Sequence, residues 1–85
     1  MKSIRLKYCT DNRCTFKFVN RNSVADLEIL ASTGGQVNLR LSLKVGEPIL
    51  LTGSTESIEA ISQRWQRFQT SVEIFFDLAD YTIIK

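Results

Sequence analysis

The clearest pattern in this chain is alternation. Ile4, Leu6 and Tyr8 are separated by Arg5 and Lys7, and Cys14, Phe16 and Phe18 are separated by Thr15 and Lys17. A period of two sends one set of side chains to one face of a half-buried strand. Thr10-Asp11-Asn12-Arg13 has turn chemistry, so strands over 3–8 and 14–20 read as a hairpin. Keeping every apolar side chain on one face requires Tyr8 opposite Cys14, or Tyr8 opposite Phe16. Either register points Cys14 inward and Cys9 outward, so no disulfide and two free thiols are expected.

Val37, Leu39, Leu41 and Leu43, alternating with Asn38, Arg40, Ser42 and Lys44, predict another strand. Residues 23–33, SVADLEILAST, fit two readings. As a strand, Leu27, Ile29 and Ala31 share a face; as a short helix, Ser23 caps it and Gly34-Gly35 stops it. The helix would draw Glu28 into its apolar arc and turn Ile29 away, which favours the strand. Thr33-Gly34-Gly35 then becomes a hairpin loop.

Gly46-Glu47-Pro48 predicts a turn, and Ile49-Leu50-Leu51 a buried strand that Pro48 opens. Ser54 or Thr55 is expected to cap a helix running to about Gln69. Ile58, Ile61, Trp65 and Phe68 form its apolar stripe, with Glu56 and Glu59 at its start and Arg64 and Arg67 near its end. That spacing assigns Trp65 to the core. Val72, Ile74 and Phe76 predict a strand, 77–80 a turn, and Tyr81–Ile84 a returning strand. Phe75 falls on the face opposite Ile74 and Phe76, which makes it a candidate subunit contact. The elements sum to an α+β fold: a mostly antiparallel sheet with the helix over about 55–69 packed on one face.

Eighty-five residues fit one small domain over 1–85, and 44% hydrophobic with 24% charged residues is an ordinary globular balance. No apolar run approaches the roughly 18 residues of a membrane span. MKSIRLKYC interleaves charges with its apolar residues and does not read as a secretory signal. Cytoplasmic residence, with reduced thiols, is therefore expected. The net charge of +2 is unevenly spread: residues 1–21 carry +5 and the rest −3. Arg5, Lys7 and Lys17 are expected on one polar face, with Arg13 at the hairpin tip and Arg21 beyond its end, as a candidate basic patch.

Little else is equipped for chemistry. Histidine is absent, which removes the usual general base near neutral pH and the commonest metal ligand. Two cysteines alone do not complete a zinc site, and their spacing is not Cys-x-x-Cys. Ser54 and Thr55 follow Gly53 without the lysine of a phosphate-binding loop. Glu73, Asp77 and Asp80 gather around the expected last turn, where aspartates commonly serve as turn formers. No cofactor, no metal and no enzymatic activity are expected.

The stretch GEPILLTGSTESIEAISQRW, followed by SVEIFF and YTIIK, resembles the second half of the TusA/SirA family of small sulfur carriers. Phosphocarriers of the HPr type show a related passage from strand to helix. The resemblance implies a persulfide-bearing cysteine in a Cys-Pro-x-Pro motif. The corresponding stretches here, Cys14-Thr15-Phe16-Lys17 and Cys9-Thr10-Asp11-Asn12, contain no proline, and the histidine of the phosphocarriers is missing. The expected function is a small non-catalytic protein-interaction or regulatory module, whose partner is another protein or a second copy. Nucleic-acid binding through the basic hairpin and a thiol-based sulfur carrier are the alternatives. No membrane partner is expected.

Overall fold

The computed structural model describes residues 2–84, with the side chains of 31–33 left aside. These residues form an α+β arrangement: β1 (Ser3–Thr10), β2 (Arg13–Asn20), β3 (Val24–Thr33), β4 (Gln36–Leu43), β5 (Ile49–Gly53), α1 (Ile58–Thr70), β6 (Phe75–Asp77) and β7 (Thr82–Ile83). There are two sheets rather than one, ordered β2-β1-β6 and β3-β4-β5-β7. All neighbours are antiparallel except β1 and β6.

Residues 23–33 take the strand reading. Arg21–Ser23 make one 3-10 turn, and β3 then pairs Leu27 with Leu41 and Ile29 with Leu39. Ala31, expected on the same face, lies outside the described side chains. Gly34 and Gly35 both adopt positive φ in the following turn, and Pro48 immediately precedes β5. As an edge strand, β3 is broken by two register irregularities, which make it a poor template for further pairing.

One core joins both sheets and the helix. Ile4 and Leu6 of β1, Phe76 of β6, Leu27 of β3, Leu39 and Leu41 of β4, and Leu51 of β5 surround Ile61, Trp65 and Phe68 of α1. Trp65, only 7% exposed, meets Phe76 edge-on at 5.0 Å between centroids. The cap of α1 is Ser57, whose Oγ accepts from the Ala60 N–H at 3.1 Å, and not Ser54 or Thr55. The segment before Ser57 stays non-helical and carries Glu56 to Arg64 and Tyr81. Ile58, at the first helical position, is consequently exposed.

The expected closing hairpin is a crossover. β6 belongs to one sheet and β7 to the other, and Leu78 and Tyr81 between them are buried. The Leu78 N–H donates to Arg5 O at 2.9 Å and the Ile84 N–H to Leu50 O at 2.8 Å, so this segment bridges the sheets. Val72, 95% exposed, and Ile74, also exposed, lie before β6 and do not point inward as expected.

The first hairpin also departs from the expected register. Cys9 stands directly opposite Cys14, with Leu6 opposite Lys17 and Arg5 opposite Phe18. The two sulfurs are bonded, and neither thiol is free. The register expected from alternation buries Phe16 and Phe18. β2 is an edge strand, however, exposed from Arg13 to Phe18, and only its last residues reach the core. Without a covered surface beneath them, the pull of its apolar residues on the register is weak, and the disulfide sets it instead.

Candidate interaction face

The outer face of β2-β1-β6 follows from that register. Residues directly opposite one another share a face, so Phe18, Arg5 and Asp77 lie side by side across the three strands. The neighbouring row is Asn20, Ser3 and Phe75; the next holds Phe16 and Lys7, and the disulfide closes that end. Ser3 is small, and the rings of Phe18 and Phe75 meet across it with centroids 6.0 Å apart. Phe16, Phe18 and Phe75 remain 52%, 57% and 58% exposed, although large apolar side chains are normally withdrawn from water.

Arg5 organises the centre of this face. Its Nη2 donates to Asp77 Oδ2 at 2.7 Å and its Nε to Asp77 Oδ1 at 3.2 Å, a bidentate pair. Its guanidinium also lies 4.6 Å from the Phe16 ring centroid. The Arg5 hydrogen bonds hold the Asp77 carboxyl below its ordinary range against partial burial, and the Ala79 N–H adds a 2.8 Å bond to Oδ1. Phe18, Phe75, Arg5 and Asp77 line an open pocket of about 240 Å³.

The candidate basic residues do not form one patch. Arg5 and Lys7 are on the outer face, whereas Lys17 sits opposite Leu6 on the other side, its ammonium 4.8 Å from the Tyr8 ring centroid. Arg13 pairs with Thr10 at the tip, on the side of Leu6 and Tyr8. Arg21 turns to the helix, donating to Gln69 Oε1 at 2.7 Å and stacking over Trp65 at 5.1 Å. Lys2 donates to the carbonyls of Phe68 and, at 2.8 Å, Ser71, and so neutralises the C-terminal end of α1. The carboxylates are dispersed as well: Glu73 pairs with Arg67 at 3.2 Å and Asp77 with Arg5. Among the described residues no three metal-ligating side chains come together.

A second polar cluster is structural. Glu56 Oε1 accepts from Arg64 Nη2 at 2.7 Å and from the Tyr81 hydroxyl at 2.9 Å, while Arg64 Nη1 donates to Asp77 O at 2.7 Å. Partial burial works against the Glu56 anion, but the bonds from Arg64 and Tyr81 outweigh it and lower its pKa. Burial, reinforced by Glu56, pushes the Tyr81 phenol well above its usual value. These bonds tie the segment before α1 to the helix and to the segment between β6 and β7.

Phe75 is on the outer face as the sequence indicated, and Phe16 and Phe18 are the members that sequence reasoning missed. A usable signal was present: the cysteines are placed symmetrically about Asp11-Asn12, as a directly opposed pair requires. No helix is long and apolar enough to cross a membrane among the described residues. No protein-family model matches this chain, and neither a curated protein nor a solved structure matches it.

Proposed function

We propose that this protein is a small non-catalytic interaction module that binds a protein partner on the outer face of β2-β1-β6. The observation that carries this reading is the cluster of three half-exposed phenylalanines around Arg5. Aromatic and arginine side chains dominate the energetics of protein interfaces. The one carboxylate within the cluster, Asp77, is already offset by Arg5, and Lys7 adds a positive charge beside the rings. The complementary surface therefore carries apolar side chains with acidic ones next to them. A second copy of this face would present the same positive sign, so a different protein suits it better.

The test is comparative capture from the native host with the wild-type chain and a Phe18→Ser/Phe75→Ser variant. The expected result is a partner whose affinity falls about tenfold or more in the variant at unchanged melting temperature. A partner held equally by both proteins would sink the reading.

Nucleic-acid binding is the second reading, favoured by those rings, which stand beside cations as base-stacking platforms do. It is the weaker because Lys2, Arg5 and Arg21 are engaged within the fold, while Lys7 and Lys17 face opposite ways. Binding through four or more phosphates would weaken with salt at a log–log slope of about −3 or steeper. A sulfur-carrier role would first need the Cys9–Cys14 bond opened, after which a cysteine desulfurase should add one sulfur to a thiol.

A further inference from the structure

The pattern of β2 and its register disagree, and the disulfide stands between them. By alternation Cys14, Phe16 and Phe18 form an apolar face, yet the pairing of Cys9 with Cys14 turns that face outward and sets Lys17 against Leu6. Sliding β2 by one residue would pair Tyr8 with Cys14, Leu6 with Phe16 and Ile4 with Phe18. Both rings would then lie on the side of Ile4 and Leu6, and Lys17 would join Arg5 and Lys7 outside. The disulfide forbids this slide, because it would send the two sulfurs to opposite faces.

Over residues 13–18 the surroundings leave room for the movement, while the Arg21 N–H bond to Lys2 O beyond them would have to be exchanged for the next residue along. β2 has a neighbour on one side only, and its residues 13–18 are exposed. Val19, which Phe18 would replace opposite Ile4, borders a groove of about 350 Å³ lined also by Leu43, Lys44 and Val45. The hairpin loop would become Thr10-Asp11-Asn12, a common length in which Asn12 tolerates left-handed backbone. Cys9 and Cys14 are both exposed, within reach of a thiol reagent.

We propose that the Cys9–Cys14 disulfide is a redox latch on the register of β2, holding the outer face aromatic when closed and letting it become cationic when open. This regulation rests on the docking function proposed above. Opening requires a dithiol reductant. One of its thiolates attacks a cysteine sulfur, breaking the S–S bond and forming a mixed disulfide. Its second thiol then displaces the protein sulfur. The reductant leaves as a disulfide, and its two electrons and two protons end on the thiols of Cys9 and Cys14.

The test is NMR of the full chain, oxidised and then with excess dithiothreitol, reading cross-strand Hα contacts. The oxidised protein should show Lys7–Phe16 and Arg5–Phe18, the closely spaced pairs in phase with the disulfide, and the reduced protein should lose them and gain Lys7–Thr15 and Arg5–Lys17. A second measurement uses a Y8C/C9S variant, in which position 8 and Cys14 can bond only in the slid register. Oxidation of the folded variant should remove both free thiols. Retention of the Lys7–Phe16 contact after reduction, or melting of β2 with no new contact, would overturn the latch. So would failure of the folded variant to oxidise. The register is read without a partner, so these outcomes leave the docking reading to its own capture experiment.

Discussion

Gly53 has no side chain, and the ring of Tyr81 occupies the space beside it. A Cβ built there would fall 2.7 Å from Tyr81 Cδ2 and 3.1 Å from Cε2, well inside contact distance. Tyr81 cannot swing aside freely, because its ring is buried and its hydroxyl is held by Glu56. Gly53→Ala should therefore destabilise the fold by about 1–3 kcal/mol through overpacking, measured as a lower denaturant midpoint. The same residues set the pH limits. Glu56 and Asp77 have lowered pKa values, so their contribution is present above the ordinary carboxylate range and is lost as acid protonates them, below about pH 4. Tyr81 has a raised pKa, so its contribution is present at neutral pH and is lost only as alkali ionises it, above about pH 10. Melting temperature should be flat between these limits. Glu56→Gln should flatten the acid limb and Tyr81→Phe the alkaline one, and variants with wild-type limbs would show that the cluster does not control them.

Among the elements, α1 and β2 behave oppositely. The helix carries its own cap in Ser57, a buried stripe of Ile61, Trp65 and Phe68, and a cation from Lys2 at its far end. Local sequence and tertiary packing agree there, which makes the element robust. Trp65→Ala removes a side chain that touches both Phe68 and Phe76, and should cost about 3–5 kcal/mol in chemical denaturation. A neutral result would mean that α1 is not seated on the core. β2, by contrast, contributes little beyond Val19 to that core, and the disulfide fixes it to β1. An element held by a crosslink rather than by burial is free to expose aromatic side chains.

At the scale of the molecule, charge and apolar surface are sorted by face. Of the positive residues in the first 21 positions, Lys2 and Arg21 clamp the helix, Arg5 and Lys7 frame the outer face, and Arg13 and Lys17 lie on its reverse. Two copies apposed through the outer face would place Lys7 and its equivalent in repulsion, which moderate salt screens only beyond about 10 Å. Sedimentation equilibrium at low ionic strength should therefore return a monomer. A stable dimer abolished by Phe18→Ser would instead make a second copy the partner.

Residues 36–43 and 58–70 were legible because alternation in one and the stripe of Ile61, Trp65 and Phe68 in the other carry their period within a few turns of chain. The α+β class, the Gly34-Gly35 turn, the opening of β5 after Pro48 and the outward direction of Phe75 followed from equally local chemistry. What local pattern could not contain was which faces would be covered. Alternation divides the side chains of β2 into two sets, but only the placement of the helix and the second sheet decides which set meets a core. Both sets lie beyond the core over Arg13–Phe18. The same cause separated β6 from β7: burial of Leu78 and Tyr81 drew the turn through the interior, where sequence alone saw a hairpin. Local chemistry settled the periods of β4 and α1 and the Gly34-Gly35 turn, but not the cap of α1, which is Ser57. Which face of β2 stays open, and with it the exposed aromatic surface, was decided by tertiary structure, because that depends on where neighbouring elements leave surface uncovered.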